Sequence, residues 1–219
     1  MNPLHRLIYL SSLVPALLAC QQSQVSVHDM MTDNIRRGDE LEQAAKDKQV
    51  SRTFEAFVSS PGYVNSRDMW CGRALEQYAP QNSRVEILLA EQRGRLYIND
   101  AIAMDFPVCS GRVGGHETPT GTFRITQKER EHRSTTYGCF VDANDRIVKG
   151  NATSGQAAPA GAHFRGTSMP YWMRFNGAVG MHVGSVYRSG ASHGCVRVPP
   201  EACSILFNKL AVGSVVIVK

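Results

Sequence analysis

The chain has 219 residues, of which 42% are hydrophobic and 20% charged. That is the composition of a globular protein, with room for one good-sized domain and an appendage. Its formal charge of +5 favours polyanionic surroundings, yet no run of Lys or Arg occurs, and basic residues scattered in this way argue against a nucleic-acid partner. Gly111-Arg112-Val113-Gly114-Gly115 lacks the strand-to-helix context of a phosphate-cradling loop, and no other segment implies a cofactor.

In chain order, His5-Arg6 makes a basic start and Leu7 to Leu18 a short apolar run, too short to span a bilayer comfortably. The run ends in Leu17-Leu18-Ala19-Cys20, which resembles a bacterial lipobox. Residues 1–20 therefore read as a lipoprotein signal peptide. Cys20 becomes the lipidated first residue of the mature chain, anchored to a membrane on the periplasmic side of the cell envelope. An ordinary secretory peptide would equally take the chain out of the cytoplasm.

Residues 21–83 read as a tether and a short helical N-terminal region. Gln21 to Asn34 is polar and irregular. The composition from Ile35 to Val58 predicts a helix, broken by Ser59-Ser60-Pro61-Gly62. A second helix is expected from Ser66 to Tyr78, ended by Ala79-Pro80.

Residues 84–219 change texture and read as the main domain. Strand patterns occur at Val85–Ala90, Leu96–Ile98, Ala103–Ser110 and Thr122–Thr126. Asn144-Asp145 predicts a hairpin between Phe140-Val141 and Arg146–Val148. Gly150 to Thr167, rich in Gly, Ala and Ser, reads as a loop over the site. Tyr171–Phe175 and Val179–His182 read as strands. Pro199-Pro200-Glu201 opens one amphipathic helix with Ala202, Ile205, Leu206 and Leu210 inward, and Ser214–Val218 is a buried closing strand. The fold class is mainly β, with one helix packed against the sheets.

The chemistry concentrates in Ser192-His193-Gly194-Cys195-Val196-Arg197, with His182 upstream. A thiol with an ordinary pKa is only a few per cent thiolate at neutral pH, so a nucleophilic Cys195 needs a partner to take its proton, and His182 is the candidate base. Attack on an amide carbonyl puts negative charge on oxygen, for which the backbone amides of Gly194 and Cys195 are candidate donors, with His193 beside them. Arg197, two positions on, faces the same side as Cys195 if the chain is extended there, and a guanidinium recognises carboxylates bidentately. Tyr171 and Trp172 are candidates to wall the substrate groove, although an aromatic pair in a strand is more often core, and Tyr171 is the one kept as a site candidate. Cys71, Cys109, Cys139 and Cys203 could form two bridges in three connectivities. A zinc site from His182, His193, Cys195 and Cys203 lacks any closely spaced ligand pair, so no metal is expected.

Met169 to Phe175, Gly180-Met181-His182, Ser192 to Arg197 and Pro199-Pro200 together resemble the L,D-transpeptidases of the bacterial cell wall, the YkuD-domain family. Thr118-Pro119-Thr120-Gly121-Thr122-Phe123 resembles that family's Thr-Pro-x-Gly-x-Phe turn. Phe106 to Gly111 resembles its Pro-Val-Ser-Thr-Gly strand end, with Cys109 where serine is usual. The resemblance runs from about Arg84 to Lys219 and implies a β-sandwich-like catalytic domain acting on peptidoglycan stem peptides, whose anionic wall suits a basic chain. It implies that the backbone carbonyl of Val183 orients the His182 imidazole, and that His193 lines the site. The acyl-enzyme could be resolved by an amine, giving a crosslink or a wall-attached lipoprotein. It could also be resolved by water, as in an L,D-carboxypeptidase or an amidase releasing such a lipoprotein. A non-catalytic wall-binding lipoprotein is the alternative from another class.

Overall fold

The computed structural model describes residues 36, 37, 40, 53–77, 80–187 and 189–219, and the chain divides into two compact units, Met1–Ala44 and Ala45–Lys219. In the first, Arg36, Arg37 and Glu40 are helical, and Arg36 Nε lies 3.7 Å from Glu40 Oε1 at i,i+4 spacing. Cys20 and the signal segment lie outside the described residues. No helix among the described residues is long and apolar enough to cross a membrane.

The second unit runs α1 (Phe54–Val58), β1 (Trp70–Cys71), β2 (Ser83–Leu88), β3 (Arg93–Ile98), β4 (Ala101–Pro107), β5 (Gly121–Arg124), β6 (Gln127–Glu129) and β7 (Arg133–Val141). It continues through β8 (Ile147–Thr153), β9 (His163–Ser168), β10 (Trp172–Asn176), β11 (Val179–Val183), β12 (Val196–Val198), α2 (Pro200–Lys209) and β13 (Val215–Val218). These strands make three sheets, ordered β1-β4-β3-β2-β13-β5, β12-β11-β10-β6 and β8-β7-β9.

One core joins the two larger sheets and α2. Val85 and Ile87 from β2, Leu96 and Ile98 from β3, and Val216 and Val218 from β13 meet Met173, Met181, Val196 and Val198 of the four-stranded sheet, with Ala202 and Leu206 of α2. Period-two alternation aims these strand positions inward. β13 pairs in parallel with β2 and antiparallel with β5, so the β-branched closing run is a central strand, as its apolar character requires. Pro200 starts α2 where its missing N–H costs nothing. Lys128 Nζ donates to the Phe207 and Leu210 carbonyls at the other end of the helix, where a cation is favoured.

The hairpin at Asn144-Asp145 forms as expected: Asp142 Oδ1 accepts from Asn144 and Arg146 amides at 2.8 and 2.9 Å. Two expectations are corrected. The stretch from Ser66 to Gln77 is not an α-helix: Ser66–Asp68 supplies backbone carbonyls to Arg93, Trp70–Cys71 pairs with β4, and only Arg73–Glu76 coils, as a 3₁₀ turn. Tertiary partners override its helical composition. The Gly-rich segment 150–167 is partly strand, since β8 and β9 flank β7 and leave 154–162 as the connection. Gly138 and Gly166 permit that pairing, because a Cβ on either would meet a neighbouring backbone oxygen at about 2 Å. Cys71, Cys109, Cys139, Cys195 and Cys203 are all free thiols.

Candidate active site

The four-stranded sheet is two-faced. Met173, Met181, Val196 and Val198 turn into the core, and the intervening positions turn the other way. Register then aligns them. Glu129 pairs with Trp172, and His182 with Arg197, while the Met173–Met181 pairing sets Trp172 opposite His182. A row of Glu129, Trp172, His182 and Arg197 thus crosses all four strands on one face. Cys195, just before β12, continues the register toward Gly180, whose N–H favours the Cys195 thiolate.

His182 is almost fully buried, and its Nδ1 lies 2.8 Å from the Val183 carbonyl. A carbonyl only accepts, so Nδ1 carries the proton and Nε2 keeps its lone pair. Val183 N–H in turn donates to Pro170 O at 2.9 Å, which holds the orienting peptide. Burial pushes the His182 pKa down to about 4. The Val183 hydrogen bond opposes that shift, and the charges of Arg197 and His132 add to it. At neutral pH the ring is therefore an unprotonated base.

Burial pushes the Cys195 thiol up from its ordinary value, against the pull of the Gly180 N–H and Arg197. Its Sγ lies 3.8 Å from the Ala178 carbonyl. Cysteine and histidine thus rest as neutral thiol and neutral imidazole, the arrangement of a nucleophile that must be deprotonated on attack.

The turn before Cys195 is braced from both sides. Ser192 Oγ accepts Gly194 N–H at 3.0 Å and donates to the Cys195 carbonyl. Thr118 Oγ1 accepts Gly111 N–H at 2.9 Å and donates to Gly194 O at 2.8 Å. Gly194 has φ +117, a conformation that side chains disfavour. The expectation that the Gly194 amide is an oxyanion donor is therefore revised, because the serine turn has already claimed that N–H. Cys195 N–H has no acceptor among the described residues and is the donor left at the nucleophile.

His193 is exposed, stacked on Tyr137 of β7 at 4.2 Å and edge-on to His116 at 4.8 Å. Partial burial first, then the charges of Arg112, His116 and Arg197, hold it below the ordinary histidine value. Arg197 exchanges both backbone hydrogen bonds with Cys109, at 2.9 and 3.0 Å. Gly184 leaves room for its side chain, since a Cβ there would meet Arg197 Cγ at 2.9 Å. None of the ion pairs among the described residues uses this guanidinium. Tyr171 has a different character: at φ 55, its ring packs on Phe207 of α2 at 5.4 Å with Arg130 above it. These are the contacts of a packing residue. Among the described residues, no group of three His, Cys, Asp or Glu side chains is placed to hold a metal ion.

The sequence assigns Thr118, His132, His116 and Tyr137 no part in this arrangement, and Trp172 only a place in the groove wall. Thr118 lies inside a recognisable turn, and Trp172 is next to Tyr171. The other three carried no local signal, because strands and loops distant in sequence bring them to the site.

The family model of the L,D-transpeptidase catalytic domain, YkuD, matches residues 82–218. The chain belongs to the L,D-transpeptidase family. An L,D-transpeptidase structure from Stackebrandtia nassauensis is similar at 23% identity and TM-score 0.46, over 65% of this chain and 58% of that one. One from Mycobacterium smegmatis is similar at 16% and 0.47, over 63% and 58%. A third, from Mycobacterium tuberculosis, is similar at 16% and 0.44, over 63% and 57%. The chain thus spans less than two thirds of the length of these L,D-transpeptidases. No curated protein matches it.

Proposed function

We propose that this L,D-transpeptidase family member transfers peptidoglycan stem peptides through an acyl-enzyme on Cys195, forming wall crosslinks or attaching proteins to the wall. The observation that carries the proposal is the His182 imidazole, locked by Val183 O with Nε2 unprotonated, on the strand next to Cys195. His182 Nε2 takes the thiol proton as Sγ attacks the diaminopimelate carbonyl of a tetrapeptide stem. The oxyanion develops toward Cys195 N–H. Collapse breaks the amide bond, and D-alanine leaves as its amine takes the proton back from His182. An amine acceptor then attacks the thioester and frees Cys195. Arg197, which pairs with no carboxylate among the described residues, is suited to one on the stem peptide.

The lipobox-like Leu17-Leu18-Ala19-Cys20 supports a further reading, in which the enzyme is held at the envelope membrane by lipid on Cys20. Membrane fractionation of wild type and Cys20→Ala, with the mass of the mature N-terminus, tests it. A soluble or uncleaved Cys20→Ala protein is expected, and an unlipidated wild type overturns it.

A carbapenem presents a strained amide to the same thiol. Intact-protein mass spectrometry should find its adduct on wild type and none on Cys195→Ala, and tetrapeptide should yield free D-alanine. If neither occurs but wall-bound lipoprotein is released, the site is an amidase. If D-alanine forms but no crosslinked or wall-attached product does, it is an L,D-carboxypeptidase. An inert Cys195 toward every acyl donor would leave a wall-binding protein.

A further inference from the structure

Behind His182, on the side away from Arg197, lies a set of groups that the proposed reaction does not use. Trp172 is buried, its ring centroid 6.1 Å from that of His182. His132 lies parallel to the indole at 4.7 Å with an interplanar angle of 11°. His132 Nδ1 is 2.6 Å from Glu129 Oε2, and Glu129 Oε1 accepts from the Gln127 amide. Backbone pairing fixes both ends: Trp172 is the register partner of Glu129, and Met169 N–H donates to His132 O at 2.8 Å. Gly180 makes room for the indole, since a Cβ there would lie 2.7 Å from its six-membered ring.

We propose that His132, held by Glu129 and stacked on Trp172, is a positioning residue for His182: it fixes the indole that backs the imidazole and sets the charge on that side of it. The proposal rests on the reading of His182 as the base for Cys195.

The charges around the imidazole are few and known. Arg197 from β12 and Cys195 stand on one side, and His132 stands across the indole. Glu129 and Gln127 are the groups of β6 on that side, and Arg174 lies two residues along β10 from Trp172 on the same face, its Nε buried without a hydrogen-bond partner among the described residues. Glu129 and the indole hold the His132 ring in place, close enough to His182 to act on it electrostatically. Charge there disfavours a second positive charge on His182, in the same sense as Arg197 does. Burial is the main reason that His182 stays free of its proton, and His132 adds to it. Stacking alone would fix the ring without this electrostatic effect, so the two contributions can be separated.

The test is the NMR titration of His182 in Cys195→Ser protein, beside the pH profile of Cys195 alkylation by iodoacetamide in protein with the thiol intact. His132→Phe keeps the stack and removes the charge, and Glu129→Gln removes the partner. The His182 titration and the acid limb of alkylation should both move up, by about half a unit to one unit in His132→Phe, and less in Glu129→Gln. Glu129→Gln carries the test should His132→Phe fail to fold. His182 titration unmoved in every folded variant overturns the proposal, even if thermal stability drops, because a purely structural role moves only stability. A shifted titration in a protein that releases no D-alanine supports the positioning role and overturns the proposed function alone.

Discussion

On the six-stranded sheet, Asp105 is fully buried and accepts from Arg93, Arg95 and Tyr63, the latter two at 2.9 and 2.8 Å. Arg93, equally buried, spends its remaining donors on the carbonyls of Ser66 and Asp68 at 2.8 and 2.9 Å. On the four-stranded sheet, among the described residues, Arg197 pairs with no carboxylate and Cys195 N–H has no acceptor, and His182 Nε2 keeps a free lone pair. Both regions bury polar groups, but only the first satisfies them. The Asp105 cluster staples residues 63–71 to β3 and β4, with Phe57, Tyr63 and Trp70 packed together over it. Buried charge with every partner in place is structural. Buried donors and acceptors left open are what a reacting molecule can use.

Substitutions on each side should break in different currencies. The largest effect belongs to the open side. His182→Gln should slow D-alanine release by about 10²- to 10⁴-fold, the usual worth of a positioned base, with little change in melting temperature at pH 7. Measured rates within a few-fold of wild type would remove His182 from the proton transfer. On the closed side, Asp105→Asn should leave the thiol's reactivity alone in whatever protein folds. It should cost about 3–5 kcal/mol of stability, because Arg93 then lies buried without its counter-charge. Urea unfolding measures this, and a loss under 1 kcal/mol would mean that the Ser66 and Asp68 carbonyls suffice.

Acid titration reads the open side through stability. The folded His182 titrates at about 4, below the ordinary 6.5, so as pH falls the unfolded chain takes a proton that the folded one refuses. Its contribution is full above pH 6.5 and is lost between 6.5 and 4, to a total of about 3 kcal/mol. His182→Gln should flatten that part of the stability–pH curve, and an unchanged slope would place the loss in other groups. The smallest effect is expected where the two kinds of polar group meet. Thr118→Val leaves Gly111 N–H unsatisfied and removes the donor to Gly194 O, for about 1–3 kcal/mol of stability. It should also lower the rate of carbapenem acylation, as the turn carrying Cys195 loosens. Stability lost with the acylation rate intact would make Thr118 a brace of the loop only.

Much of this was legible before any tertiary contact was known. Val85, Ile87, Leu96 and Ile98 alternate as a buried sheet face must, and Pro200 with Ala202 and Leu206 marks a helix with one apolar side. The Ser192–Arg197 segment and His182 carry the resemblance to the family, and the family model over residues 82–218 bears it out. Ser66–Gln77 departs from its helical composition for a physical reason: that composition is a weak preference of about tenths of a kcal/mol per residue, outweighed by the buried Arg93 and by pairing with β4.

The sequence by itself thus determined the strand pattern, the closing helix and the family, since each follows from local residue types and spacing. Only the tertiary structure decided that Glu129, Trp172, His182 and Arg197 form one row. It alone committed Gly194 N–H to Ser192, brought Tyr137 onto His193, and closed the Asp105 cluster. Apart from the local Ser192–Gly194 bond, those outcomes depend on register and contact between segments distant in sequence, and a slip of one residue in a strand pairing would turn each side chain to the other face.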